Sequence, residues 1–77
     1  MSQQAPTLDP AKLKSQRVLA GLTRTQLAFH TDRAEQTVWL WERGHLTPRL
    51  ETVYEIARVL GCDVHTLFNV ETPTEPR

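Results

Sequence analysis

The sequence has a single cysteine, Cys62, no long hydrophobic run and no excess of charge of either sign. One cysteine cannot form a disulfide within the chain, so nothing indicates an oxidising compartment. Because no run approaches the roughly 18 apolar residues of a membrane span, we expect no membrane segment. The first residues also lack the basic start and apolar stretch of a secretory signal. We therefore expect a cytoplasmic protein.

Residue patterns typical of catalysis, metal binding or cofactor binding are scarce as well. The three histidines and the one cysteine follow no recognised ligand spacing, since only Cys62 and His65 lie close together. The glycines at positions 21, 44 and 61 are far apart and form no phosphate-binding loop. No cysteine–histidine motif for nucleophilic catalysis is present either. We predict that the protein is not an enzyme and has no metal site and no cofactor.

The formal net charge is zero, which counts against strong non-specific DNA binding, because that binding depends on Lys and Arg neutralising phosphates. The charge is unevenly distributed, since Asp9, Glu71 and Glu75 lie towards the ends. Between Pro10 and Phe68, eight Lys and Arg stand against six Asp and Glu, a net charge of about +2. The central part is therefore weakly basic.

The length of 77 residues predicts one small domain. Residues 1–8 and 69–77 are polar, contain three of the five prolines and show no periodicity, so we expect two disordered tails around a domain at 9–68. Asp9 followed by Pro10 is typical of a helix start. A first helix is expected to run to about Leu19 and to stop at Gly21.

Further helix signals follow at short intervals. The segment Thr23-Arg-Thr-Gln26 has the pattern of a capping box and predicts a short second helix. Asp32 lies where that helix should turn, and Asp tolerates left-handed backbone better than most residues. A third helix is predicted from about Glu35 to Arg43, with Val38 and Trp41 facing inward and Gly44 as its end.

The clearest amphipathic pattern comes next. Thr47-Pro48 predicts another N-cap and first helical residue, and Gly61 ends this fourth helix. Its apolar residues recur at spacings of three and four: Leu50, Val53, Ile56, Ala57 and Leu60. Asp63 is placed to cap a short fifth helix that contains Leu67 and Phe68. No segment alternates with a period of two, so an all-α protein is predicted.

Five short helices with a tight turn between the second and third resemble the Cro/CI-type (XRE-like) helix-turn-helix family, whose fold is lambda repressor-like. The resemblance spans about 55 of the 77 residues and implies a sequence-specific DNA-binding regulator, bacterial or phage. The matching residues are Leu13, Arg17, Gly21-Leu22-Thr23, Leu27-Ala28, Thr37-Val38, Glu42-Arg43-Gly44, Pro48, Ile56-Ala57-Arg58-Val59-Leu60-Gly61 and Leu67.

The resemblance implies that the second helix braces against the DNA backbone and that the third, the recognition helix at about 35–43, lies in the major groove. The expected base contacts, carried over by position, are Glu35, Gln36, Leu40 and Trp39. The expected contacts to the DNA backbone are Arg24, Thr25, Arg33, Arg43, His45 and Thr47. Gln36 can donate to and accept from adenine. Glu35 can accept from cytosine or merely complement the helix dipole, and Leu40 can contact a thymine methyl or protein.

Some residues depart from the family pattern. Trp39 should point outward, along a sugar-phosphate edge or into a protein interface. Phe29 is either exposed as well, or a rotated second helix buries it, which the polar Thr31 would fit. Ala34 replaces the usual Ser or Thr cap, so the recognition helix has a weak cap or Asp32 caps it one turn earlier.

Two structural roles also follow from the resemblance. Arg17 and Glu42 occupy positions that the family pairs as a partly buried ion pair joining the first and third helices. Cys62 matches a core position, which implies a buried thiol.

One domain of this size covers few base pairs, so a homodimer on a palindromic site in double-stranded DNA is expected. Its predicted interface is Val64, Phe68 and Val70, although Val64 could equally belong to the core. A second hypothesis is a protein-interaction module with an apolar patch of Phe29, Trp39 and Leu40. A third is a DNA-binding subunit that requires a protein partner.

Overall fold

The protein, described from a computed structural model over residues 7–68, is built of four short α-helices. Their bounds are α1 Pro10–Leu19, α2 Arg24–His30, α3 Glu35–Arg43 and α4 Leu50–Leu60, and a 3₁₀ turn at Val64–Thr66 follows. Within residues 7–68 there is no strand, and the nearest approach to one is an isolated antiparallel bridge between Leu8 and Phe68. The prediction of an all-α domain is confirmed. None of the helices in this range is long and apolar enough to cross a membrane.

The first two helices begin as their sequences predict. Asp9 accepts a hydrogen bond from the backbone N–H of Ala11, and Pro10 is the first residue of α1. At α2 both bonds of the capping box form: the N–H of Gln26 donates to Thr23 Oγ1 at 3.0 Å, and the N–H of Thr23 donates to Gln26 Oε1 at 2.9 Å. These bonds satisfy helix-end donors that would otherwise need water.

The predicted starts of the later elements need correction. The carbonyl of Arg49 accepts the first bonds of α4, from Thr52 and Val53, so Thr47 is not its N-cap and the helix starts two residues after Pro48. The residue before a proline favours extended backbone, and a loop residue adopts this conformation as readily as an N-cap residue does. The Thr-Pro pattern therefore does not by itself locate the N-cap. The predicted fifth helix is only the 3₁₀ turn, because the chain leaves it to bring Phe68 against Leu8.

A single core lies between the helices and the two ends of the described chain. It is formed by Leu8, Leu13, Leu27, Ala28, Val38, Trp41, Val53, Ile56, Ala57, Leu60, Leu67 and Phe68. Leu8, which the sequence pattern assigns to the N-terminal tail, is therefore part of the domain, and the neighbouring N–H of Asp9 donates to the carbonyl of Leu67 at 2.8 Å. The rest of the two predicted tails, 1–6 and 69–77, lies outside the described residues.

Ala34 is the N-cap of α3, with extended backbone and no side-chain oxygen to accept a helix-end N–H. The alternative that Asp32 caps this helix is wrong, because Asp32 instead forms the preceding turn with φ +58°. We expect Ala34→Ser to stabilise the domain by about 1 kcal/mol, because a serine hydroxyl can accept from the N–H of Gln36 at the second helical position. In thermal unfolding this is a rise in Tm of roughly 5 °C. Ala34→Val, which has no oxygen, is the control, and equal Tm values for the two variants would contradict the prediction.

Candidate nucleic-acid interface

The turn between α2 and α3 is fixed by bonds back to α2. Thr31 is fully buried, and its hydroxyl donates to the carbonyl of Leu27 at 2.9 Å and approaches that of Ala28 at 3.3 Å. The N–H of Arg33 also donates to the carbonyl of Ala28, at 2.8 Å. Asp32 adopts the left-handed conformation that the sequence predicted for it. These local hydrogen bonds therefore hold the turn against the end of α2.

A nearly buried ion pair ties the third helix to the first. Arg17 donates through Nε and Nη2 to the carboxylate of Glu42, at 2.5 and 3.2 Å, and through Nη1 to the carbonyl of Leu22 at 2.9 Å. The two side chains are 9% and 5% exposed. The predicted pairing is confirmed. It joins α1, the turn after α1 and the last turn of α3, so it fixes the position of α3 relative to α1.

The outer face of α3 exposes polar groups at its first turn. Glu35 and Gln36 are exposed, and with Trp39 they line a shallow cleft of about 390 Å³. Val38 and Trp41 are buried on the opposite face, as predicted. An exposed amide and carboxylate at the start of a helix can form hydrogen bonds to the edges of bases in a wide groove.

Near the end of α3, an aromatic ring and a cationic side chain lie in contact, and this contact was not predicted from the sequence. The guanidinium carbon of Arg43 lies 4.8 Å from the centroid of the Trp39 ring, and the ring of His45 lies 6.3 Å from it. Arg43 follows Trp39 by four residues on one helix, a spacing that places side chains side by side, and this spacing could have predicted the contact. Leu40, which follows Trp39 in the chain, is half-buried, so only part of its side chain could contact a base.

The other predicted backbone contacts differ in their surroundings. Thr25 and Thr47 are exposed. Arg24, at the start of α2, is 36% exposed and its Nε lies 3.9 Å from the carboxylate of Glu42. Arg33 donates from Nη2 to the hydroxyl of Thr52 at 3.1 Å, which fastens the turn to α4. This contact between distant segments has no signal in the sequence, and it gives Arg33 a bracing role.

The alternative that places Phe29 in the core is wrong. Phe29 is 79% exposed, and its ring makes an edge-to-face contact with the ring of His30, with the two centroids 5.5 Å apart. Thr31 takes the inward position because its hydroxyl is satisfied by carbonyls one turn earlier, so a polar side chain is tolerated in the core.

The predicted dimer residues do not form an exposed patch in the single chain. Phe68 is 4% exposed and belongs to the core, so its ring is not free to contact a partner. Val64 is partly buried against the same core, and Val70 lies outside the described residues. Phe68 is held there through its backbone as well, since its carbonyl accepts from Lys12 Nζ at 3.0 Å.

The titrating groups with shifted pKa values lie after α4 and away from α3. Partial burial, with a smaller contribution from the charge of Asp63, raises the pKa of the Cys62 thiol. Cys62 packs partly buried against the core, close to its predicted role. The pKa of Asp63 is lowered, chiefly because its carboxylate accepts from the backbone N–H of His65. In the range 7–68, no three His, Cys, Asp or Glu side chains are grouped to hold a metal ion.

Two short helices joined by a tight turn, with a third helix packed across them and polar groups on the outer face of the second, define the helix-turn-helix class. A family model described as helix-turn-helix matches residues 13–67. The chain therefore belongs to the XRE-like helix-turn-helix family, a family of DNA-binding transcription regulators.

Comparison with known proteins agrees with this assignment. An uncharacterized HTH-type transcriptional regulator from Methanocaldococcus jannaschii is 33% identical over 60 residues, which cover 78% of this chain and 91% of the relative. Among solved structures, the restriction-modification controller protein C.AhdI from Aeromonas hydrophila is 27% identical with a TM-score of 0.73, covering 77% of this chain and 86% of that one. SinR, the master regulator for biofilm formation solved in complex with DNA, is 25% identical with a TM-score of 0.69 and covers 75% and 97%.

An enzyme also shares this fold in one part of its chain. The hydroxypropylphosphonic acid epoxidase from S. wedmorenis is 29% identical with a TM-score of 0.70, over 77% of this chain. The match covers only 31% of the epoxidase. The likeness therefore concerns one segment of that enzyme, whereas the regulator from M. jannaschii and C.AhdI match over most of their length.

Proposed function

We propose that this protein regulates transcription by binding a specific double-stranded DNA site with α3 in the major groove. The observation that carries the proposal is the exposed first turn of α3, held in place by the Thr31 bonds on one side and the Arg17–Glu42 pair on the other. A recognition helix must present its side chains at fixed positions, because hydrogen bonds to bases tolerate little displacement. SinR, which shares the fold, was solved in complex with DNA, and this supports the proposal.

In the proposed complex, Gln36 reads an adenine through its amide, and Glu35 lies beside it over the next base pair. The cationic side chains of Arg24 and Arg43 contact phosphates on either side of the groove, while Thr25 and Thr47 add neutral hydrogen bonds to the backbone. Arg33 supports the turn through one N–H that donates to Thr52, and because its side chain is exposed its other donors can still reach a phosphate.

We further propose that two copies bind a palindromic operator. The net charge is near zero and one domain reaches few base pairs, so one copy supplies little of the phosphate neutralisation on which DNA affinity depends. A dimer doubles both the base contacts and the phosphate contacts. Such a regulator would act on DNA in the cytoplasm.

The direct experiment is selection of bound sequences from a random DNA library with the purified protein at moderate salt. An enriched palindrome would establish a dimeric reader and give the spacing of its half-sites. A single short enriched site would support sequence-specific DNA binding but contradict the proposed dimer. No enrichment by folded protein would reject the proposal.

Gln36→Ala should weaken binding by about fivefold to a hundredfold for each half-site of the enriched palindrome, because one bidentate contact to adenine is worth roughly 1–3 kcal/mol. The loss should fall on one base pair per half-site, at which the variant no longer discriminates. A repeated selection with the variant measures both effects. Gln16→Ala, the same change on α1, serves as the control. A Gln36→Ala protein with an unchanged base preference would show that this amide does not read DNA.

A protein-interaction module is the second candidate, and one observation favours it. Phe29 is 79% exposed, so its ring offers apolar surface to another protein. An apolar interface should depend on Phe29 and tolerate salt, whereas DNA binding should spare Phe29 and weaken with salt. Binding that requires both DNA and an intact Phe29 ring would indicate the third hypothesis, a regulator that needs a protein partner.

A further inference from the structure

Trp39 and the two groups beside it form the most organised side-chain cluster on the exposed face of α3. The Arg43 guanidinium carbon lies 4.8 Å from the Trp39 ring centroid, within the range of a cation–π contact. The His45 ring lies 6.3 Å from the same ring with an interplanar angle of 38°. Trp39 itself is 37% exposed, so its remaining surface faces outward.

The backbone explains why His45 reaches this position. Gly44 adopts left-handed backbone at φ +76°, and the N–H of His45 donates back to the carbonyl of Leu40 at 3.0 Å. The chain therefore reverses at the end of α3 and returns His45 to the side of Trp39. A Cβ at Gly44 would also lie 3.5 Å from the side chain of Pro10, so this reversal fits closely against the start of α1.

The end of a helix is a poor place for a phosphate unless cations are provided there. The helix dipole puts partial negative charge at its C-terminus, which repels an anion. Arg43 provides a cation at this end of α3, and His45 beside it carries a ring N–H donor; both side chains are exposed. A free arginine side chain on a surface samples many rotamers, and ordering it on binding costs conformational entropy. Contact with an aromatic ring restricts the side chain before DNA arrives.

We propose that Trp39 is a positioning residue: its ring holds Arg43 and His45 ready to receive a DNA phosphate at the C-terminal end of α3. Trp39 therefore sets affinity for the DNA backbone and does not read a base, in contrast to the expectation from the family resemblance. This inference rests on the proposed function, since it assigns a role within the same interface.

The test compares Trp39→Leu with Trp39→Phe on the duplex that the wild-type protein enriches most. Trp39→Leu should weaken binding about fivefold for each copy, the scale of a cation–π contact, and therefore about 25-fold for the dimer. The slope of log affinity against log salt should become shallower by about 2, because each copy loses one phosphate contact. The base preference in a repeated selection should stay unchanged. Trp39→Phe keeps a ring face and should recover most of the affinity and the slope.

Two further measurements separate positioning from general structural damage. Adding Trp39→Leu to Arg43→Met should weaken binding by much less than Trp39→Leu does in the wild-type protein, because most of the effect of the ring passes through Arg43. Arg58→Met, which removes an exposed arginine on α4 without a contact to Trp39, should instead add to Trp39→Leu. In protein without DNA, the NMR signals of the Arg43 side chain should lose their ring-current shifts in Trp39→Leu and keep them in Trp39→Phe.

Several results would overturn the inference. They are a changed base preference in Trp39→Leu, an unchanged salt slope, additive effects of the Trp39 and Arg43 changes, or Arg43 signals that do not respond to loss of the ring. A wild-type protein that enriches no duplex would overturn the proposed function itself, and the role of Trp39 with it. The two kinds of failure are thus distinguished by whether the wild-type protein selects a site.

Discussion

Arg17→Ala is expected to lower the free energy of unfolding by about 3–5 kcal/mol, because it leaves the carboxylate of Glu42 without its main partner in the interior. Glu42 is 5% exposed, so water cannot replace the two bonds that Arg17 donates. Arg24, 3.9 Å away, lies too far for a hydrogen bond in its present position. The expected fall in Tm is more than about 10 °C for a domain of this size. Chemical denaturation would give the free energy directly.

A control and a second variant define the cause of this loss. Arg58→Ala removes an exposed arginine and should change stability by no more than about 0.5 kcal/mol. Arg17→Met combined with Glu42→Leu should recover much of the loss, because no charge then remains stranded in the interior. If Arg17→Ala melts at the same temperature as Arg58→Ala, the pair does not stabilise the fold.

Affinity for the enriched palindrome is expected to fall about a thousandfold between 50 and 200 mM salt. That figure corresponds to roughly six phosphates contacted by a dimer, with about three cationic side chains from each copy. Arg24 and Arg43 are the main sources of these contacts on the α2–α3 face. Each neutralised phosphate releases condensed counterions, and added salt opposes that release.

The measurement is a titration of labelled duplex at several salt concentrations, with a scrambled duplex as the control. Binding to the scrambled duplex should be weaker at every concentration and should also fall steeply with salt, because phosphate contacts carry no sequence information. A change of less than about threefold over the same range would contradict a DNA-binding interface. It would favour the apolar surface around Phe29, since an apolar contact responds little to screening.

The helix ends and the ion pair could be predicted from the sequence, on two different grounds. The capping box at Thr23, the proline after Asp9 and the left-handed turn at Asp32 all act through bonds between residues two to four apart. The Arg17–Glu42 pair spans 25 residues and follows instead from the resemblance to a family. The prediction of Glu35 and Gln36 as exposed groups at the start of α3 follows in the same way, and their contact with bases stays a prediction.

The sequence leaves open the interior position of Thr31 and the exposure of Phe29. A threonine hydroxyl can donate a hydrogen bond to the carbonyl four residues earlier, but it can do so on a buried or an exposed helix face. Only the packing of α2 against the core shows which face is inward. The spacing of four residues between Trp39 and Arg43 is sufficient to predict their contact. The contact is missed when Trp39 is interpreted only as a residue that touches DNA or another protein.

The sequence by itself determined the helical class, four of the helices and most of their ends, because these depend on bonds and periodicities within a few residues. The family followed from the resemblance of particular residues at particular spacings. Only the tertiary structure decided that Leu8 and Phe68 close the core, that Arg33 fastens the turn to Thr52, and that the last element is a single 3₁₀ turn. These features join segments that are distant along the chain. They form only when the whole domain packs, so no pattern within a few residues predicts them.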